Sequence, residues 1–131
     1  MKIRRAAKGD MAAIRGLIRL FPAHLVQKNL PRVSSFFVAT AGGKIIGCCA
    51  LQVYSKRLSE VRSLAVHPDY QERRVAAKLV ESCTQRAREL GIKELFAVTS
   101  RTSFFGRLGF ATFRREKTAM FLELGGHTSA E

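Results

Sequence analysis

Residues 60–90, EVRSLAVHPDYQERRVAAKLVESCTQRAREL, place the strongest constraint on what this chain can fold into. A short apolar run with period-two alternation ends at His67-Pro68, and a basic loop follows. From Val75 onward apolar residues return at steps of three and four (Val75, Leu79, Val80, Cys83, Ala87, Leu90), which is the period of a helix with one buried face. Gly91 then stands where a helix C′ residue belongs. The segment is therefore a strand, a turn and a long amphipathic helix in direct succession. The first turn of such a helix carries N–H groups with no intrahelical acceptor and partial positive charge, a setting suited to a phosphate chain. Residues 71–77, QERRVAA, fall at that turn, where Arg73 and Arg74 add charge and Ala76 and Ala77 leave the backbone approachable.

The rest of the chain sets bounds. Its 131 residues suffice for one domain with one core. An apolar content of 47% sets it apart from disordered tails. The longest apolar runs, such as 45–51, are too short to span a bilayer, and the N-terminus lacks the apolar segment of a signal peptide. A cytoplasmic protein is expected. Cys48, Cys49 and Cys83 sit in apolar stretches without CxxC spacing or a His pair, so buried reduced thiols and no metal site are expected. The formal net charge of +13, from 23 Lys+Arg against 10 Asp+Glu, favours an anionic partner: nucleic acid, a polyphosphate cofactor or acidic metabolites. The cations are scattered as isolated pairs (Arg4-Arg5, Arg73-Arg74, Arg114-Arg115), and part of the excess is a solvated surface. Nucleic-acid binding is disfavoured because no helix-turn-helix signature, zinc spacing or aromatic ladder accompanies the charge.

In chain order, residues 2–6 read as a first strand, Asp10 as an N-cap, and 11–20 as a helix burying Ile14, Leu17, Ile18 and Phe21. Residues 23–28 add a possible helical turn, and 29–35 form a loop. Residues 35–40 and 45–54 form a hairpin around Ala41-Gly42-Gly43-Lys44, and 60–66 is a third antiparallel strand. After the long helix, 94–99 is a strand in a right-handed parallel crossover, and 102–108 is a short helix. Residues 110–113 and 118–124 are two last strands, and 125–131 is a flexible tail. The expected fold is a single α/β (α+β) domain over 1–124: a mixed, mostly antiparallel sheet of six to seven strands with about four helices.

At these residues the chain resembles the GCN5-related N-acetyltransferase (GNAT) family. The family's cofactor motif, Q/R-x-x-G-x-G/A after a strand and opening a helix, reads here Gln71-Glu72-Arg73-Arg74-Val75-Ala76. Gln71 and Ala76 fit, and Arg74 stands where glycine is usual. LAVHP at 64–68 and FFGRLGF at 104–110 also fit, and EVRSLAVHPDYQ, FAVTSRT and FFGRLGF look closest to the acetyltransferase domain of N-acetylglutamate synthases.

The resemblance implies acetyl-CoA as donor, held by Leu64, Ala65, Val66, Gln71, Glu72, Arg73, Arg74, Val75, Ala76 and Ala77, with Phe105 alongside. Glu60 matches the general base of some members, and the amide of Val66 the donor to the thioester oxygen. Arg62, Ser100, Arg101 and Lys117 are candidates to grip a substrate carboxylate. Phe105 replaces a tyrosine that protonates the leaving thiolate in many relatives. Strand alternation places Glu60, Arg62, Leu64 and Val66 on one face. Two points stay open: whether Arg74 hinders or aids phosphate binding, and whether Glu60 is a base or a solvated partner of Arg62. The implied function is acetyl transfer to a small amine, an amino acid with glutamate first. The alternative is an acyl-CoA or metabolite binding module that has lost catalysis. A homodimer is left open.

Overall fold

The computed structural model describes residues 1–71, 74–112, 120, 122, 124 and 125. These residues form two compact units, 1–99 and 100–131. The first unit holds a five-stranded sheet in the order β1-β2-β3-β4-β5. Its elements are β1 (Lys2–Arg5), α1 (Met11–Ile18), β2 (Phe36–Ala41), β3 (Lys44–Val53), β4 (Leu58–Val66), α2 (Val75–Glu89) and β5 (Glu94–Phe96). The first four strands pair antiparallel, and β5 joins β4 in parallel after α2, as the crossover reading expects. The second unit holds α3 (Thr102–Arg107).

One helix covers each face of the sheet. Ile14, Leu17 and Ile18 of α1 are buried against Phe36, Val38, Cys48, Ala50 and Ala65. On the other face α2 buries Val75, Leu79, Val80, Cys83 and Ala87, and Cys83 Sγ lies 3.7 Å from Cys49 Sγ. Each Val, Leu, Ile or Phe side chain so withdrawn from water contributes about 1.5–3 kcal/mol. Burial pushes the Cys48 thiol up to about 12, and the Cys49 thiol is raised by its hydrogen bond with Cys83 and by burial. Both thiols are thus neutral core groups. Gly47 is what lets α2 come so close to β3. A Cβ on it would lie 3.0 Å from Leu79 Cδ1 and 3.1 Å from Val75 Cγ1.

Several sequence expectations are corrected. Five strands and three α-helices are present among the described residues, against the expected six to seven and about four. Residues 23–28 carry no α-helix, only a single turn closed by Leu25 N to Phe21 O at 2.9 Å. β5 ends at Phe96 rather than at 99, since its parallel pairing with β4 stops there. Phe110, Ala111 and Thr112 carry no strand, and most of the residues expected to complete the last two strands lie outside the described set. Asp10 does not cap α1 with its side chain. Its carboxylate turns back instead, accepting from the Ala7 amide at 2.6 Å and from Arg4 Nη1 at 2.7 Å. Among the described residues, no helix is long and apolar enough to cross a membrane.

Candidate active site

The sheet opens where β4 outruns β5. Their last paired residues are Glu60 and Phe96, whereas β4 continues to Val66. Among the described residues, no strand pairs with positions 61–66 on that side. The backbone direction there follows from β3. His67 donates its amide to Ile46 O at 2.8 Å, and Gly47 faces Val66 while Cys48 faces Ala65. Alternate residues of a strand turn their N–H and C=O to opposite edges. The amide of Val66 therefore points away from β3, toward the open edge. The Val66 carbonyl on that edge accepts a 2.6 Å hydrogen bond from Gln71 Nε2, which draws the following turn against the strand end.

Within this open stretch β4 carries a bulge. Between Cys48/Ala65 and Ala50/Arg62 the register advances two residues on β3 and three on β4, and Ser63 adopts φ +56°. Directly paired residues share a face of the sheet. Arg62, opposite Ala50, and Ala65, opposite Cys48, thus both lie on the α1 face. Val66 shares the α2 face with Gly47. The expectation that Glu60, Arg62, Leu64 and Val66 share one face is therefore wrong. The extra residue at the bulge reverses the alternation, leaving Glu60 and Arg62 on one face and Val66 on the other.

α2 begins beside the end of β4. Its N-cap, Arg74, has φ +58° and ψ 21° and makes no side-chain cap. The arginine thus occupies the left-handed conformation for which a glycine is usual, at about 1–2 kcal/mol of steric cost. The first-turn amides of Val75, Ala76 and Ala77 precede the first intrahelical donor, Lys78 N to Arg74 O at 3.2 Å. The Val75 side chain is fully buried, so only its backbone remains for a ligand. Ala76 and Ala77 are half-buried, and Arg74 is exposed. Glu72 and Arg73 lie outside the described residues.

Glu60 sits at the fork itself, half-buried. Tyr54 Oη donates to Glu60 Oε1 at 2.5 Å, and the Tyr54 ring stacks on Phe96 with centroids 6.2 Å apart and planes at 21°. The hydrogen bond to Glu60, with burial and the Glu60 charge behind it, raises the Tyr54 phenol, while nearby Arg62 acts the other way. Sequence reasoning missed Tyr54. The only available signal was an aromatic residue at the end of a strand six residues before a carboxylate.

In the second unit Ser100 and Arg101 are exposed, and the Arg101 guanidinium lies over the Phe104 ring, 5.2 Å from its centroid. Phe105 is buried, edge to face with Phe104 at 5.0 Å and with Phe110 at 5.2 Å. Lys117 lies outside the described residues. His67 is a turn residue, its Nδ1 accepting from the Asp69 amide at 3.1 Å. A cavity of about 180 Å³ between Arg5, Phe37, Leu51 and Arg86 lies toward the C-terminal end of α2 and is lined by none of these candidates. Among the described residues, no cluster of His, Cys, Asp or Glu is arranged to hold a metal ion.

The described residues thus set an open strand edge beside a helix mouth that carries no side-chain cap, and known proteins share the sequence and fold around it. The acetyltransferase (GNAT) domain model matches residues 32–112. The chain is 35% identical over 116 residues to the amino-acid acetyltransferase of Mycobacterium tuberculosis, covering 82% of this chain and 67% of that protein. It is 35% identical over 91 residues to an N-acetyltransferase of Chlorobaculum tepidum, covering 70% of this chain and 59% of the relative. Among solved structures, Rv2747 of Mycobacterium tuberculosis in complex with CoA superposes with a TM-score of 0.79 at 31% identity, over 99% of this chain and 78% of that one. The N-acetylglutamate synthase of Neisseria gonorrhoeae, complexed with coenzyme A and N-acetyl-glutamate, gives 0.72 at 28% identity, over 82% of this chain and 27% of that one. The chain belongs to the GNAT acetyltransferase family, whose members draw their acyl group from acetyl-CoA. It spans little more than half of the Chlorobaculum relative and about a quarter of the synthase.

Proposed function

We propose that this chain transfers an acetyl group from acetyl-CoA to the amino group of a small acceptor, an α-amino acid, with glutamate the first to test. The observation that carries the reading is the edge of β4 over 61–66, unpaired among the described residues, which follows Glu60 and ends beside the first turn of α2. Relatives named amino-acid acetyltransferase, and a synthase structure holding N-acetyl-glutamate, support the acceptor class. The proposed domain covers 1–124.

The residues present fit the donor. Its diphosphate is assigned to the first-turn amides of Val75, Ala76 and Ala77, where the helix dipole favours anions, with Gln71, Glu72, Arg73 and Arg74 around it. Its extended arm is assigned to the open edge of β4 at Leu64, Ala65 and Val66, with Phe105 proposed from the resemblance alone. Acetyl-CoA supplies a thioester activated toward attack by an amine. The Val66 amide is assigned to the acyl oxygen. An ammonium must lose a proton before its nitrogen can attack, and Glu60 accepts that proton, directly or through water. Arg62, on the same face as Glu60, pairs with an acceptor carboxylate. For Ser100, Arg101 and Lys117 the acceptor-binding role likewise rests on the resemblance. Phe105 has no proton to give, so the departing thiolate is protonated from solvent.

Steady-state kinetics with acetyl-CoA and a panel of α-amino acids tests the reading. Turnover is expected with at least one α-amino acid, and Glu60→Gln should lower kcat by roughly 10²–10⁴-fold while leaving CoA affinity in place. A chain that binds CoA normally and acetylates no α-amino acid would remove the acceptor assignment.

A further inference from the structure

We propose that Tyr54 is a positioning residue for Glu60, its hydroxyl holding the carboxylate at the fork between β4 and β5. Three contacts fix Tyr54 in place. Its amide donates to Leu58 O at 3.0 Å, closing the β3–β4 connection. Its ring stacks on Phe96, the β5 residue paired with Glu60. Its Oη donates to Glu60 Oε1 at 2.5 Å.

The consequence is chemical. Glu60 lies at the last rung of the β4–β5 ladder, where the sheet gives its side chain no β5 neighbour beyond Phe96. A glutamate there has three free torsions, and only part of its rotamer population aims an oxygen at an acceptor amine. The Tyr54 hydroxyl occupies Oε1 and leaves Oε2 to receive the proton, so one orientation is selected before the acceptor arrives. Preorganisation of this kind acts on the chemical step and not on donor binding. The stacked Tyr54–Phe96 pair also forms an apolar wall beside the carboxylate, and Arg62 on the same sheet face supplies the opposite charge. The inference rests on the proposed role of Glu60 as proton acceptor.

Tyr54→Phe removes the hydroxyl and keeps the ring on Phe96, which separates positioning from packing. In the intact chain it should lower kcat on the order of tenfold with the KM for acetyl-CoA unchanged. In a Glu60→Gln background the same substitution should produce no further loss, because its target is gone. An independent readout is ultraviolet titration of the two tyrosines in the chain. One of them should ionise late in the wild type and earlier in Glu60→Gln. A Tyr54→Phe rate equal to wild type, or losses that multiply in the double variant, would overturn the inference while leaving Glu60 as the base. A Glu60→Gln rate equal to wild type would overturn both readings, and tyrosine titration unchanged by Glu60→Gln would remove the contact itself.

Discussion

Arg62 and Ala65 lie on the same face of β4 although three residues apart, because Ser63 takes a left-handed conformation between them. In an uninterrupted strand, residues three apart face opposite ways. The bulge thus separates the two tasks of one strand. Before it, Glu60 and Arg62 face the α1 side. After it, β4 swings Val66 to the α2 side, next to the helix mouth.

The first prediction concerns Ser63. Its left-handed backbone tolerates glycine, whose gain in the folded state is offset by greater freedom in the unfolded chain, so Ser63→Gly should change stability by less than about 0.5 kcal/mol. A β-branched residue fits that region worst, and Ser63→Val should cost about 1–2 kcal/mol and lower turnover as the bulge shifts. Denaturant midpoints together with initial rates check both.

Arg74 brings an arginine's charge to a backbone shaped as for glycine. Arg74→Gly should therefore keep the loop and weaken CoA binding by less than about fivefold at low salt, a difference that fades as salt screens an exposed cation. Calorimetric titrations at two ionic strengths measure it. A hundredfold loss insensitive to salt would place the guanidinium directly on the phosphates.

Gly47 holds the approach of α2 to β3. Gly47→Ala puts a methyl 3.0 Å from Leu79 Cδ1 and 3.1 Å from Val75 Cγ1, and overpacking of this size costs about 1–3 kcal/mol. Because Val75 opens α2, the same displacement moves the first-turn amides. CoA affinity should fall together with the unfolding midpoint.

At the far edge of the sheet, Arg4 and the Ala7 amide hold the Asp10 carboxyl below its ordinary value. The folded value is depressed, so the contribution to stability is present above the unfolded carboxylate range, about 3.9. It is lost as pH falls through the lower folded value. Asp10→Asn should flatten that acid loss and leave the neutral-pH slope unchanged, as read by thermal melts between pH 2 and 7.

The elements whose apolar period is unbroken were legible from sequence. The α2 stripe from Val75 to Ala87 and the parallel return to β5 match expectation. The bulge was not legible, because SLAV alternates acceptably in either phase and a serine at positive φ leaves no trace in the pattern. Tyr54 was missed for a related reason. Its partners Glu60 and Phe96 are set by the register of β3, β4 and β5, which alternation alone does not fix. β5 ran short because its pairing with β4 ends at Phe96, and the β-prone Val98 beyond it is 81% exposed. Arg74 was legible as an anomaly in the motif, but whether it could adopt a glycine's conformation depended on the turn around it.

Amide NMR with and without acetyl-CoA tests the central claim most directly. Saturating donor should shift and protect the amides of Val66 and Val75–Ala77, which lie at the end of β4 and at the start of α2. Binding that leaves those amides unchanged and perturbs residues elsewhere would contradict the account, whatever the enzyme activity.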